Sequence, residues 1–216
     1  MKKTVILLSG GIDSTVAAWK LRREDHTLIP VTFITYRRNK RELEAVEKIV
    51  ETAGGYGLRV IDTSYLRELV DFPPKQASKI LQHLSNPPNI LIPYRNIIFY
   101  SIAAHIACYE DAEYVAGGHT YEDLGRLPDV GEDFFNSLRA LLNQSLKGFE
   151  VKFLTPLTAL KKPQVIKLGY ELNAPLKLTW SCWSVYEKHC GTCPGCLARK
   201  QSFKDAGVED STEYLA

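Results

Sequence analysis

Two clusters in this chain combine residue types and spacing that can do chemistry. The first is Ser9-Gly10-Gly11-Ile12-Asp13-Ser14. Its glycines permit positive φ and close backbone approach. A helically spaced stretch follows at once through Val16, Ala17, Trp19, Lys20 and Leu21. Backbone N–H groups then converge at the positive end of a helix dipole, which is a site for a small, doubly charged anion. The commoner phosphate loop, G-x-x-x-x-G-K-[ST], carries a lysine that reaches the phosphates. No lysine lies between Ser9 and Ser14, so this turn is of another kind.

The second cluster is Cys182, Cys190, Cys193 and Cys196, four of the five cysteines within fifteen residues. The x₂ spacings let neighbouring thiolates grip one ion, and the longer loop returns the remaining sulfur. Four sulfurs around zinc close a tetrahedron with no place for water, so such a site is structural. An iron–sulfur cluster, a redox pair and a catalytic thiol are the alternatives, and in a reducing compartment four cysteines favour zinc. His189 precedes Cys190 and is expected beside the ion as a neighbour. Cys108 lies in an apolar helical run with Ile102, Ala103, Ile106 and Ala107 and reads as an inert core thiol.

The elements that must position these clusters alternate. Val5–Leu8 is an unbroken apolar run, suited to a strand buried on both faces. Further strands are expected at Leu28–Ile34, with Pro30 at its beginning, and at Leu58–Ile61, Tyr114–Ala116 and Val151–Leu154. Helices are expected at Arg41–Thr52 (apolar at Leu43, Val46, Ile49 and Val50), Asn96–Tyr109, Phe134–Leu146 and Gln164–Leu172. Phe72–Asn89, bracketed by proline pairs, reads as a mobile segment or one ordered on binding. The alternation implies an α/β fold with a doubly wound, mostly parallel sheet, whose ligands sit beyond the C-terminal strand ends. Ser9-Gly10-Gly11, Thr35-Tyr36, Gly117-Gly118-His119 and Thr155-Pro156 all fall at such ends.

A length of 216 residues with 45% hydrophobic content fits one domain, here 1–216, carrying a cysteine-bearing segment from about 176 to 216. Lys plus Arg number 27 and Asp plus Glu 25, a net charge of +2, so no strong field for nucleic acid exists. No eighteen-residue apolar run or signal-peptide pattern appears, and the expectation is a cytoplasmic protein with no membrane span.

The turn S-G-G-I-D-S resembles the PP-loop of the adenine-nucleotide α-hydrolases, a superfamily that splits ATP between its α- and β-phosphates. Adding Ile92-Pro93-Tyr94-Arg95-Asn96, Thr155-Pro156-Leu157 through Lys162, and the run from Cys190 to Gly207 makes the resemblance specific. Nearly the whole chain is similar to the 7-cyano-7-deazaguanine synthases of the queuosine and archaeosine pathways, with the archaeal form of the C-terminal segment. The resemblance implies ATP, Mg²⁺ and structural zinc as cofactors. It implies small-molecule partners, a deazaguanine carboxylate and ammonia, and often a homodimer. It places ATP phosphates on Ser9, Gly10, Gly11, Asp13 and Ser14, and pyrophosphate on Lys162, with Lys161 the less favoured neighbour. Asp13 has no lysine close in the sequence and is expected to orient the loop or help hold Mg²⁺. Adenine is expected against Thr32 and Phe33, with Gly117 and Gly118 allowing close approach. Arg95 would neutralise phosphate or the substrate carboxylate. Glu122, Asp123 and Asp129 would accept hydrogen bonds from the base, or else form an ordinary solvated loop.

Two departures bear on the product. Tyr36-Arg37-Arg38 stands where the family carries Y-G-Q, and the substrate loop keeps only Pro128-Asp129 and Phe134 of its usual pattern. The alternatives are a relative that stops at the amide or joins the acid to another amine, even one on a protein in an antiviral system, a tRNA-modifying PP-loop enzyme, and a nucleotide sensor.

Overall fold

The computed structural model describes residues 2–35, 38–54, 57–67, 69, 92 and 94–215. Its strands are β1 (Lys2–Leu7), β2 (His26–Ile34), β3 (Arg59–Asp62), β4 (Tyr114–Ala116) and β5 (Lys152–Leu154). They form one sheet in the order β3-β2-β1-β4-β5, and every pairing is parallel. The helices are α1 (Ile12–Arg23), α2 (Lys40–Ala53), α3 (Arg95–Tyr109), α4 (Tyr121–Leu124), α5 (Glu132–Ser145), α6 (Lys162–Glu171) and α7 (Pro194–Ala206).

Successive side chains of a strand point to opposite faces. Val5 and Ile6, both fully buried, therefore enter two different apolar layers. Val5 packs with Ala103 and Ala107 of α3 and Phe135 and Leu138 of α5. Ile6 packs with Val16 of α1, Val46 of α2, Ile166 of α6 and Phe203 of α7. Helices thus cover both faces of a parallel sheet, the doubly wound arrangement expected. Strand order reverses between β1 and β4, and the crevice at such a switch point is where these folds bind ligands.

The differences from expectation have local causes. Pro30 sits inside β2, opposite Ile6 of β1, and not at its beginning. The Val31 carbonyl accepts from Leu8 on the β1 side, and the Ile34 carbonyl from Thr63 on the β3 side. The alternation turns Pro30 toward β3, whose first paired row is Val31 with Arg59. The missing N–H therefore falls one residue before that ladder begins. Cys108 is half-buried and stands outside both apolar layers, so it is not a core thiol. The short α4 and the cysteine-bearing α7 lack a clear apolar stripe and were not anticipated. Phe72–Asn89 and the Tyr36-Arg37 pair lie outside the described residues. No helix among the described residues is long and apolar enough to cross a membrane.

Arg199 of α7 is buried yet fully partnered. Its guanidinium reaches Asp210 at 3.1 Å, the Thr179 hydroxyl at 2.8 Å and the Leu176 carbonyl at 3.0 Å. Burial pushes the Asp210 carboxyl up, but hydrogen bonds from Arg199 and Tyr214 outweigh it and hold the group below its ordinary value. Breaking one partner of such a pair would strand a buried charge, so the network locks α7 to the 3-10 turn Leu176–Leu178 and Thr179, ahead of the first cluster cysteine.

Candidate active site and cysteine cluster

The loop from Ser9 to Ser14 closes on itself before it can receive a ligand. Ser14 Oγ accepts from the Ser9 N–H at 3.1 Å and meets Ser9 Oγ at 3.0 Å. Thr15 Oγ1 donates to the Gly11 carbonyl at 2.8 Å. Gly10 adopts φ +84°, and a Cβ there would meet the Glu42 carbonyl at 2.4 Å. Gly11 caps α1 without a side-chain hydrogen bond, leaving the first-turn N–H groups free for an anion.

Asp13 does have a lysine partner, supplied from 149 residues away. Lys162 Nζ, at the start of α6, lies 2.6 Å from Asp13 Oδ1 and also contacts Oδ2. Burial raises the Asp13 carboxyl above its ordinary value, while Lys162 pulls it down. The Lys162 N–H donates to Glu122 Oε1 at 3.0 Å. Asp123 is engaged as well: its carboxylate accepts the Thr120 N–H at 2.8 Å in the capping box of α4. Of these three acids Asp13 is the one that contacts the ammonium, while Glu122 holds the Lys162 backbone and Asp123 holds Thr120. The Asp13 carboxylate is a hard-oxygen donor of the kind Mg²⁺ takes.

Beyond the loop lies a cavity of about 380 Å³, within the range of small-molecule sites. Ser9, Asp13 and Ser14 form one wall, and Arg95, Asn96 and Tyr100 of α3 form another. Gly117, Gly118 and His119 line it at the end of β4. Phe33 stacks on Phe99 with ring centroids 4.0 Å apart and planes 2° from parallel, giving a flat apolar edge. Thr32 is fully buried beside it and donates to the Leu8 carbonyl at 2.6 Å. Asp129 meets α3 through its backbone carbonyl, which accepts from Asn96 Nδ2 at 3.0 Å. Lys161 Nζ lies over the Tyr121 ring, 5.6 Å from its centroid.

The room left by two glycines is taken by the protein itself. A Cβ on Gly117 would lie 1.8 Å from Tyr100 Oη, and one on Gly118 2.6 Å from the Ser14 backbone. Gly118→Ala must therefore displace the loop's own backbone. It is expected to cost about 1–3 kcal/mol, read as a lower denaturant midpoint, together with weaker ATP binding.

Arg38 and Tyr100 were not foreseen as site residues. Arg38 donates to the Ser9 carbonyl at 2.9 Å and the Phe33 carbonyl at 2.6 Å, tying the loop to the end of β2. Tyr100 Oη lies 2.8 Å from His119 Nε2. The signal for Tyr100 was its spacing four residues after Asn96, which puts both on one face of α3.

The cysteines meet as their spacing implied. The four sulfurs all lie within 4.8 Å of one another. Backbone N–H groups aim at them: Cys190 and Ser184 toward Cys182 Sγ at 3.3 Å, and Cys193 toward Cys190 Sγ at 3.3 Å. Hydrogen bonds from Thr192 and Cys193 hold the Cys190 thiol below its ordinary value, while burial pushes Cys196 the other way. An all-sulfur, closed set fits a soft tetrahedral metal. His189 stays outside the set; its Nε2 accepts from the Ser181 N–H at 3.1 Å. The cluster also reaches the loop, because the Trp180 N–H donates to the Gly10 carbonyl at 2.8 Å.

The family model described as "Queuosine biosynthesis protein QueC" matches residues 3–207. A 7-cyano-7-deazaguanine synthase of Nautilia profundicola is 37% identical over 227 residues, covering 99% of each chain. Another protein of that name, from Methanothrix thermoacetophila, is 35% identical over 99% of each chain. Among solved structures, a 4-thiouridine synthetase in complex with RNA and ATP superposes with a TM-score of 0.57 at 20% identity, over 95% of this chain and 50% of that one, a likeness of fold. With a parallel sheet, an S-G-G-x-D-S loop at its switch point and a match to that model over nearly the whole chain, the chain belongs to the QueC family of queuosine biosynthesis proteins.

Proposed function

We propose that this chain converts 7-carboxy-7-deazaguanine and ammonia to 7-cyano-7-deazaguanine at the expense of ATP. The observation that carries the reading is the junction of the Ser9–Ser14 loop with Lys162 beside a cavity that also holds Arg95. A carboxylate is a poor electrophile, and adenylation turns one of its oxygens into a leaving group. Its oxygen attacks the α-phosphate and pyrophosphate departs. Ammonia then adds to the acyl carbon and AMP leaves, giving the amide. A second ATP adenylates the amide oxygen, and loss of AMP with the amide protons leaves the nitrile.

This chain's residues have separable tasks in that sequence. First-turn N–H groups of α1 and the Lys162 ammonium take up the charge of the departing pyrophosphate. Arg95 offsets the carboxylate until its oxygen attacks. Arg38 keeps the loop and the end of β2 at a fixed distance, with Thr32 buried beneath and Phe33 facing the adenine. Glu122 and Asp123 hold the start of α6 and the turn of α4, so they position Lys162, and Asp129 is left for the base. Mg²⁺ would be held by Asp13 and would neutralise phosphate charge when bound. Zinc would be held by Cys182, Cys190, Cys193 and Cys196 and contributes folding energy. The residues from about 176 onward act with the rest as one unit.

Incubation with the carboxylate, ATP and ammonium, followed by mass spectrometry, tests the proposal. Nitrile, AMP and pyrophosphate are expected. ADP with inorganic phosphate would overturn the adenylation. An amide that accumulates as the end product would move the chain to the amide-forming alternative, which the altered substrate loop keeps in play.

A further inference from the structure

One pair in the cavity is left over from nucleotide binding. Tyr100 is 1% exposed, and its hydroxyl meets His119 Nε2. Phe135 of α5 packs edge-on to Tyr100 at 4.8 Å and lies 6.0 Å from the His119 ring. The absence of a side chain at Gly117 makes room for the hydroxyl. Three separate elements therefore converge to hold this contact, and the imidazole forms part of the cavity wall beside Arg95 and Asn96.

The chemistry of the pair sets its direction. A buried phenol must give its proton to an acceptor, and His119 Nε2 is the one partner of Tyr100 Oη among the described residues. Burial raises the Tyr100 pKa far above the ordinary phenol value, so the proton stays. Burial lowers that of His119; Asp123 and Asp129 oppose this, Arg95 adds to it, and burial prevails. The imidazole is neutral, Nε2 accepts, and the ring hydrogen resides on Nδ1.

We infer that His119 presents Nδ1–H to a ring carbonyl oxygen of the substrate, with Tyr100 as the positioning residue that fixes the tautomer. The identity of that ring rests on the proposed function. Charge separates the two oxygen-bearing groups of the substrate. The cation Arg95 suits the carboxylate, and the neutral donor suits a neutral carbonyl. A donor at this point accepts an oxo ring and rejects the amino counterpart, because two donors would face each other with no acceptor between them.

Nitrogen-15 spectra of the histidine rings and steady-state kinetics test this together. In the wild type, Nδ1 of His119 is expected to be protonated and Nε2 bare from pH 6.5 to 8.5, and Tyr100→Phe is expected to shift population to the other tautomer. His119→Ala should raise KM for 7-carboxy-7-deazaguanine roughly ten- to hundredfold and leave KM for ATP unchanged. His119→Asn, whose amide nitrogen replaces Nδ1, should recover most of it. The amino analogue, the 2,6-diamino-7-carboxy-7-deazapurine, should gain relative to the oxo acid in His119→Ala. A wild-type ring protonated on Nε2, an unchanged KM in His119→Ala, or an equal rise in KM for ATP would overturn the inference. A wild type that leaves the carboxylate untouched sinks the proposed function instead, and the ring spectra still decide the tautomer.

Discussion

Lys162→Met is expected to slow pyrophosphate release about 10²- to 10³-fold while the protein stays folded. The argument begins with position. Lys162 opens α6 as its first residue, where Glu122 holds its N–H and the side chain projects to Asp13. A preorganised cation aimed at the site where charge develops needs no rearrangement during reaction, and its loss costs far more in rate than in stability. The stability side is small because both partners are partly exposed, with side chains 30% and 28% accessible. Exposed pairs of this kind contribute about 0–1 kcal/mol. The variant also leaves Asp13 without its partner, in surroundings that already raise its pKa. Its carboxyl therefore stays protonated to a higher pH than in the wild type, and whatever activity remains should rise with pH. Lys162→Arg keeps the charge but spreads it over a planar fork, and an intermediate rate is expected. Pyrophosphate release and thermal melting, measured on the same samples, separate rate from stability. A wild-type rate in Lys162→Met with wild-type melting would remove Lys162 from the chemistry.

Stripping the metal from the cysteine cluster is expected to have the largest effect on stability. Structural zinc contributes on the order of 10 kcal/mol at neutral pH, comparable to the whole stability of a domain. Cys182 and Cys196 are buried, so Cys196→Ser should behave like chelation. Cys108→Ser, far from the cluster in the sequence and half-buried, serves as the control and should melt near the wild type. The damage should spread to the active site, since Trp180 holds the Gly10 carbonyl and Asn39 Nδ2 donates to the Ser184 carbonyl at 2.5 Å. Thiolates must shed protons to bind metal, so affinity falls as pH falls, and metal release on acidification should coincide with unfolding. Elemental analysis should find one zinc per chain. Iron with sulfide in its place would reassign the cluster, and an apoprotein that melts like the holoprotein would remove its structural role.

The residues from Val5 to Ser14 carried most of what could be read without coordinates. An apolar run, two glycines and an Asp-Ser pair are local features, and local features specify a strand, a turn and a helix start. The cysteines were equally legible, because their spacing within one loop limits where four sulfurs can go. Doubly wound architecture followed from alternation, since parallel strands need helical crossovers that cover both faces. Boundaries shifted by one to three residues where pairing partners, and not propensity, decide the last bond, as at Pro30 in β2.

Contacts between distant segments were decided by the fold alone. Asp13 seemed to lack a lysine because its partner stands 149 residues away, brought close when α6 packs on α1. Glu122 and Asp123 looked like free acceptors, yet one holds the start of α6 and the other caps α4. Tyr100 hid in an apolar helix, and only the approach of β4 to α3 shows why Gly117 is bare and where the phenol's proton goes. The physical reason is common to all three: a single chain reports which groups it carries and their local periodicity. Which of them end up within hydrogen-bond reach depends on helices docking across a sheet, an event written in no one segment.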